Sequence, residues 1–208
     1  MPYIIFNIFI FILGAIVGSF LNVCIWRLPK GKSIIFPSSH CPKCKHAIPW
    51  FDNIPLVSFI ILKARCRFCR ERISARYFIV EFLTAALFLG FFILFGANLK
   101  FVIFSLFGAS LIAASFIDLK HQIIPDEITL GGFVIGIILS ALFPQVFDAY
   151  SIKQSLINSL GGALLGSGAI FLTGVIGKMI FKKDAMGGGD VKFMAMIGAF
   201  LGWKKVLL

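Results

Sequence analysis

Six stretches of this chain carry no charged residue, and five of them are long enough to hold a helix that crosses a lipid bilayer. Such a helix needs roughly 17 to 25 predominantly apolar residues. The stretches are 1–26, 82–99, 101–117, 128–147, 154–177 and 193–203. Because 59% of all residues are hydrophobic, a soluble domain could not bury them. The sequence therefore predicts an all-α membrane protein, a polytopic bundle of about six transmembrane helices.

The two ends of the chain carry separate expectations. The first stretch lacks a basic segment before it and a clear cleavage site after it, so we predict an uncleaved anchor and not a secretory signal. The stretch 193–203 is too short to span a bilayer by itself, and the sequence stops soon after it at Leu208. We therefore expect a bundle that is truncated at its C-terminal end.

The positions of Lys and Arg predict the orientation, because short cytoplasmic loops collect these residues. The segment 27–76 carries 11 of the 20 basic residues, and nothing before Arg27 is charged. We expect the N-terminus outside, and the basic loop, Asp118 and Asp190 on the cytoplasmic side. We find no internal repeat and divide the chain into a transmembrane anchor (1–26), a cytoplasmic loop (27–76) and a membrane bundle (77–208).

The net charge of +11 follows from this topology, so it does not indicate a nucleic-acid partner. Basic residues that are concentrated in a cytoplasmic loop favour contact with anionic lipid head groups instead. Membrane lipids are therefore predicted partners, and nucleic acid is not.

The basic loop contains two CxxC pairs, which indicate a metal site. Cys41 and Cys44 form the first pair, and Cys66 and Cys69 follow after 21 intervening residues. Two such knuckles fit a tetrahedral zinc ion that is held by four thiolates. Disulfides are the alternative, but they rarely persist in a reducing cytoplasm. Since four thiolates leave no open position for a water molecule, we predict a structural zinc site.

Asp118 and Asp190 lie where apolar stretches meet polar loops, which is a costly place for a charge. Two carboxyl groups about 3 Å apart share one proton, so one can activate water while the other donates a proton. Such a pair hydrolyses a peptide bond without a metal. Gly187, Gly188 and Gly189 precede Asp190, and we expect them to adopt unusual backbone angles and to admit another chain. The alternative makes Asp190 a helix N-cap and Asp118 the start of a loop.

Several short motifs follow one another along the chain. The N-terminal motifs are 18–23 (GSFLNV), 27–29 (RLP), both CxxC pairs, 52–55 (DNIP), Arg76-Tyr77 and Glu81. The later motifs are Asp118 with 124–126 (IPD), and 187–192 (GGGDVK). In this order they resemble the motifs of bacterial type IV prepilin peptidases, whose GxGD signature is shared with other intramembrane aspartic proteases. The resemblance covers nearly the whole chain. Phe78 departs from it, because the family often has Pro there.

The resemblance implies a membrane aspartic endopeptidase that cleaves the basic leader of prepilins and pseudopilins at the cytoplasmic face of the bacterial inner membrane. N-methylation of the new N-terminus with S-adenosylmethionine would follow, in the service of type IV pili or protein secretion. Asp118 and Asp190 would be the catalytic residues. The zinc ligands would be Cys41, Cys44, Cys66 and Cys69.

The role of Glu81 and the presence of methyl transfer each have alternatives. Glu81 starts an apolar stretch, and we predict that it contacts the substrate amine; the alternatives are snorkelling to the interface or pairing with Arg76. No strand followed by GxGxxG and a helix is predicted, so methylation rests on the resemblance, and a peptidase without methyltransferase activity is an alternative. A proton-coupled transporter that uses the same carboxylates and an assembly scaffold are further alternatives.

Overall fold

The computed structural model describes residues 2–182 and 186–207; the chain end at Leu208 lies outside these ranges. The described residues form helices and no strand, which confirms the prediction of an all-α fold. The long helices are α1 (Pro2–Arg27), α3 (Ala75–Phe95), α4 (Leu99–His121), α5 (Asp126–Leu142), α6 (Ile152–Phe181) and α7 (Gly188–Leu201). The short ones are α2 (Val57–Ile61) and α8 (Trp203–Val206).

Within the described ranges, α1, α3, α4 and α6 are long and apolar enough to cross a membrane. The stretch 128–147 gives the shorter α5, with 17 residues. It ends there because Pro144 cannot continue a helix and because Phe143 before it leaves the helical region, with a φ of −131°. Helix α7 has 14 residues, as its short apolar stretch predicts.

By packing, the chain divides into two compact units, residues 1–121 and 122–208. The first contains α1, the basic loop, α3 and α4, and the second contains α5 to α8. The division predicted from the sequence, into an anchor, a loop and a catalytic bundle, is defined by function and not by packing, and it stays a prediction.

In the first unit, a GxxxG motif on α1 lets this helix pack closely against α3. A methyl group added at Gly14 would lie 2.7 Å from the Cα atom of Ala85, and one added at Gly18 would lie 2.7 Å from the Cα atom of Glu81. Only glycine permits this approach, so Gly14 and Gly18 determine which face of α3 meets α1.

In the second unit, α7 packs between α5 and α6. A methyl group at Gly162 of α6 would lie 2.3 Å from the carbonyl oxygen of Gly198, and a methyl group at Gly132 of α5 would lie 2.3 Å from the sulfur of Met196. These contacts hold α7 along its length, and they thereby position its N-terminal end, where Asp190 lies.

We expect Gly198→Ala to destabilise the second unit, because its new methyl group would lie 2.1 Å from the carbonyl oxygen of Gly162. The opposing atoms belong to backbone and cannot rotate away, so the loss should reach about 1–3 kcal/mol or more. Gly168→Ala on α6 is the control, since nothing lies within 4 Å of its added methyl group. Thermal unfolding in detergent measures both variants, and equal melting temperatures would contradict the packing described here.

Candidate active site and metal centre

The two CxxC pairs fold into turns with the same hydrogen-bond pattern. The N–H of Cys41 donates to the carbonyl of His46 at 2.9 Å, and the N–H of Cys66 donates to the carbonyl of Glu71 at 2.8 Å. The residue after the second cysteine is left-handed in both turns, with a φ of +58° at Lys45 and at Arg70. The structure thus contains an internal repeat that the sequence analysis missed, because its two copies share little beyond the cysteines.

The four thiols of these turns come together as predicted. The sulfur atoms of Cys41, Cys44, Cys66 and Cys69 all lie within 4.8 Å of one another, and those of Cys41 and Cys69 are 3.8 Å apart. None of these cysteines is in a disulfide. A Zn–S bond of about 2.3 Å places the corners of a tetrahedron roughly 3.8 Å apart, so this donor set fits a zinc ion.

The electrostatics of the cluster favour a bound cation. Burial disfavours the Cys41 thiolate, but backbone N–H groups of Cys44 and Lys43 and the neighbouring thiols lower the pKa of Cys41 to about 7. The N–H of Glu71 favours the Cys69 thiolate, whereas burial and the neighbouring thiols raise the pKa of Cys69 to about 11. The Cys41 thiolate therefore forms readily, whereas the Cys69 thiol resists ionisation unless a metal ion neutralises the charge of the cluster.

Side-chain contacts tie the two turns to each other and to the segment between them. The ammonium group of Lys43 lies 2.6 Å from a carboxylate oxygen of Glu71. The guanidinium group of Arg67 donates two hydrogen bonds of 2.6 Å to Asp52, and this lowers the pKa of the Asp52 carboxyl. The Lys43–Glu71 pair is exposed, and such pairs stabilise little by themselves, about 0–1 kcal/mol. The Asp52 side chain is only 6% exposed, so its two bonds from Arg67 fix the middle segment of the loop against the second turn.

Glu81 links the basic loop to α3. Its side chain is buried, and its Oε2 atom accepts the backbone N–H of Leu56 at 2.8 Å. Within the described ranges it forms no ion pair with Arg76. Neither of the two alternatives for Glu81, snorkelling outward or pairing with Arg76, therefore agrees with the structure; its contact with a substrate amine stays a prediction.

Asp118 lies in the last turn of α4, so it does not start a loop as the alternative interpretation supposed. Its side chain is exposed, and the structure shows no hydrogen bond or ion pair for it among the described residues. A carboxylate is unfavourable at this end of a helix, where the backbone carbonyls concentrate negative charge. Asp118 thus has no stabilising role in the first unit.

Asp190 is the third residue of α7, and Gly187 is the N-cap. The Oδ2 atom of Asp190 accepts the N–H of Gly187 at 3.2 Å. An acidic side chain in the first turn of a helix is a common capping arrangement, so this contact fixes the position of Asp190 at the start of α7. Asp118 and Asp190 belong to different units, and their pairing stays a prediction.

The glycines before Asp190 differ from the expectation. None of Gly187, Gly188 and Gly189 has a positive φ, since two of them already belong to the first turn of α7. Unusual backbone angles are therefore not their role. A methyl group added at Gly188 would meet nothing within 4 Å, so the backbone is open to an approaching chain at this point.

An ion pair between α5 and α7 was missed by the sequence analysis. The ammonium group of Lys192 lies 2.8 Å from Asp126, the first residue of α5. Residues two apart on a helix point in nearly opposite directions, so Lys192 anchors the face of α7 that lies away from Asp190. The sequence hints at this pair only in that an acidic residue, Asp126, follows Asp118 and a basic residue, Lys192, follows Asp190.

The fold and the thiol cluster define a polytopic helical membrane protein with four cysteines that could hold a metal ion. Two family models match the sequence: the bacterial peptidase A24 N-terminal domain over residues 12–95 and the type IV leader peptidase family over residues 105–208. The chain belongs to the type IV leader peptidase family.

Curated relatives agree with this assignment. The prepilin leader peptidase/N-methyltransferase of Myxococcus xanthus is 41% identical over 97% of this chain, which spans 58% of that relative's length. An Escherichia coli type 4 prepilin-like proteins leader peptide-processing enzyme is 37% identical over 91% of this chain and 74% of its own length. A Klebsiella pneumoniae prepilin leader peptidase/N-methyltransferase is 35% identical, with coverages of 94% and 85%. No solved structure matches.

Proposed function

We propose that this chain is an aspartic endopeptidase of the bacterial inner membrane that cleaves the basic leader of prepilins and pseudopilins, with Asp118 and Asp190 as its catalytic residues. The observation that carries the proposal is the exposed carboxylate of Asp118, which has no partner among residues 2–182 and 186–207 and lies at a helix end that disfavours it. A carboxylate that is electrostatically unfavourable and stabilises no part of the fold is a candidate catalytic residue. Asp190 adds a second carboxylate in the GGGD motif.

The two carboxyl groups divide the chemistry between them. The ionised group takes a proton from a water molecule, whose oxygen attacks the carbonyl carbon of the scissile peptide. The protonated group donates its proton toward the carbonyl oxygen, and the proton held by the first group then passes to the leaving amine. Neither the thiol cluster nor any other residue of the basic loop supplies a group for this reaction.

We further propose that the new N-terminus is methylated, as the names of the Myxococcus and Klebsiella relatives indicate. S-adenosylmethionine would supply the methyl group. The described residues contain no strand leading into a glycine-rich turn, so we assign no residue to the donor. Zinc, held by Cys41, Cys44, Cys66 and Cys69, would keep the loop folded.

For the orientation, we propose that the basic loop and both aspartates face the cytoplasm and that the N-terminus lies outside. Support comes from Trp26 at the end of α1, whose ring centroid lies 3.1 Å from the Lys30 ammonium and 5.0 Å from that of Lys120. An aromatic ring among basic groups is typical of the boundary where helices meet anionic lipid head groups.

The test is incubation of the purified protein with a prepilin and S-adenosylmethionine, followed by mass analysis of the product. We expect loss of the leader together with a methyl-sized mass increase on the mature chain. Leader loss without the mass increase would leave a peptidase alone, and an intact prepilin would remove the proposal. Ion flux in proteoliposomes under a pH gradient would identify the transporter instead.

Gly188→Ala should separate catalysis from folding. Because its methyl group meets nothing within 4 Å, we expect unchanged or slightly higher thermal stability. The same methyl group would occupy space that an incoming substrate backbone needs, so cleavage should fall by about tenfold or more. Gly168→Ala, which also adds a methyl group in open space, is the activity control. Full activity of Gly188→Ala would show that substrate does not approach at this glycine.

A further inference from the structure

Two buried polar side chains lie on the seam between α1 and α3: Asn22 of α1 and Glu81 of α3. Glu81 also accepts the backbone N–H of Leu56 from the basic loop. These residues belong to the first compact unit. The peptidase reaction and the thiol cluster use none of them.

Asn22 has a buried acceptor without a donor. Its side chain is only 3% exposed, and its amide nitrogen donates to the carbonyl oxygen of Tyr77 at 3.0 Å. Because a carbonyl only accepts, this bond fixes the orientation of the amide and leaves Oδ1 on the other side. That oxygen is buried and has no partner within the described residues, which costs about 1–3 kcal/mol.

Glu81 has a buried acceptor without a cation. It is 8% exposed, and it accepts a hydrogen bond from the N–H of Leu56. One neutral donor does not fill the lone pairs of a carboxylate, and no Lys or Arg of the described ranges forms an ion pair with it. A buried carboxylate ordinarily has a cationic partner.

The two acceptors lie on successive turns of one helix seam. Gly18 packs against the backbone of Glu81, and Asn22, one turn further along α1, bonds Tyr77, one turn earlier on α3. One helical turn advances about 5.4 Å, which is a span that one small cationic group can bridge. Leu56, which lies beside them, is held by Glu81 with a φ of +62°, a strained conformation that marks functional sites more often than others.

We propose that Glu81 and Asn22 bind a primary ammonium group, and that this group is the new N-terminal amine of the cleaved product. The identity of the ligand rests on the proposed peptidase function. An ammonium group offers three donors and a positive charge, which match the free lone pairs of Glu81 and the unpartnered Oδ1 of Asn22. A site that holds this amine keeps the cleaved chain in place for the methylation proposed above.

The binding experiment uses the full chain in nanodiscs and a synthetic peptide with the mature N-terminal sequence of a pilin. Each variant is titrated with the free-amine peptide and with its N-acetylated form. The wild type should bind the free amine about tenfold more tightly, as one charge-assisted hydrogen bond implies, and Glu81→Gln and Asn22→Leu should lose this preference. An N-acetylated peptide with an added lysine distinguishes a general ammonium site from an N-terminal one.

Two further variants separate binding from a structural role. Glu81→Gln keeps the length of the side chain and an acceptor for Leu56, whereas Glu81→Asp keeps only the charge. If Glu81 binds the amine, the Asp variant should retain more of the free-amine preference than the Gln variant. If Glu81 only anchors Leu56, the Gln variant should retain more of it than the Asp variant. Thr84→Val is the seam control, because the Thr84 hydroxyl is buried and donates to the carbonyl of Val80 on its own helix. It should leave the preference unchanged.

The outcomes are distinct from those of the peptidase test. Equal affinity of the wild type for the two peptides, or an undiminished preference in Glu81→Gln, would overturn the ammonium site even if prepilin is cleaved. Failure to cleave prepilin would overturn the proposed function, and binding of the synthetic free-amine peptide would still be measured independently.

Discussion

Asp118→Asn and Asp190→Asn should each abolish leader cleavage while leaving the helices folded. An amide neither takes a proton from water nor donates one to the scissile group, and a positioned acid or base contributes about 10²- to 10⁴-fold to rate. Asp118 is exposed and has no partner in its unit, so its replacement removes an unfavourable charge from a helix end. Asn at position 190 still offers an oxygen to the N–H of Gly187.

Initial rates of prepilin cleavage, together with thermal unfolding of each variant, measure this prediction. Asp148→Asn is the matched control: it removes one carboxylate of the second unit that lies in the turn between α5 and α6 and pairs with Lys205. Since the two aspartates act as one unit, the double variant should be no slower than the worse single variant. Undiminished cleavage by either single variant would exclude the aspartic mechanism.

The helices were predictable because a long apolar stretch has few other structures available in a bilayer. The sequence also contains the glycine motifs through which these helices pack, although we did not predict helix contacts from them. Four GxxxG motifs stand at 14–18, 132–136, 162–166 and 198–202, and glycines of all four make close interhelical contacts. The sequence does not say which partner each motif meets, since that choice depends on three-dimensional complementarity.

The site was predictable where its chemistry is local. Cys41 and Cys44 lie in one turn, and a second turn of the same type completes the thiol cluster, so spacing alone indicates the metal. The bond from Leu56 to Glu81 joins residues 25 positions apart and depends on how the loop folds back, which no spacing rule predicts. The unusual backbone angles expected for the glycines before Asp190 were wrong, because a helix N-terminus supplies ordinary angles. The approach of another chain at these glycines stays a prediction.

Removal of the metal should disorder the basic loop and spare leader cleavage. Few loop residues are buried, among them Cys41 and Ser58, so the loop has too small a core to fold by itself. Zinc binding to such sites is worth about 10–16 kcal/mol, and this is folding free energy for the loop. Asp118 and Asp190 lie on α4 and α7, outside the loop. We therefore expect Cys66→Ser or a strong chelator to remove zinc and the amide-exchange protection of the loop, with cleavage within about twofold of wild type.

The preference for a free amine should disappear in the same samples, because Leu56, which Glu81 holds in place, belongs to the loop that loses its order. Cys24→Ser is the control: Cys24 is buried in α1, outside the thiol cluster, so this variant should keep both zinc and the preference. Metal content, amine binding and cleavage are measured on one preparation, so that a loss of one can be compared directly with the retention of another. If cleavage falls in proportion to zinc, the metal centre serves the peptidase directly. If cleavage persists while amine binding is lost, the first unit retains the product and the two aspartates release it from its leader.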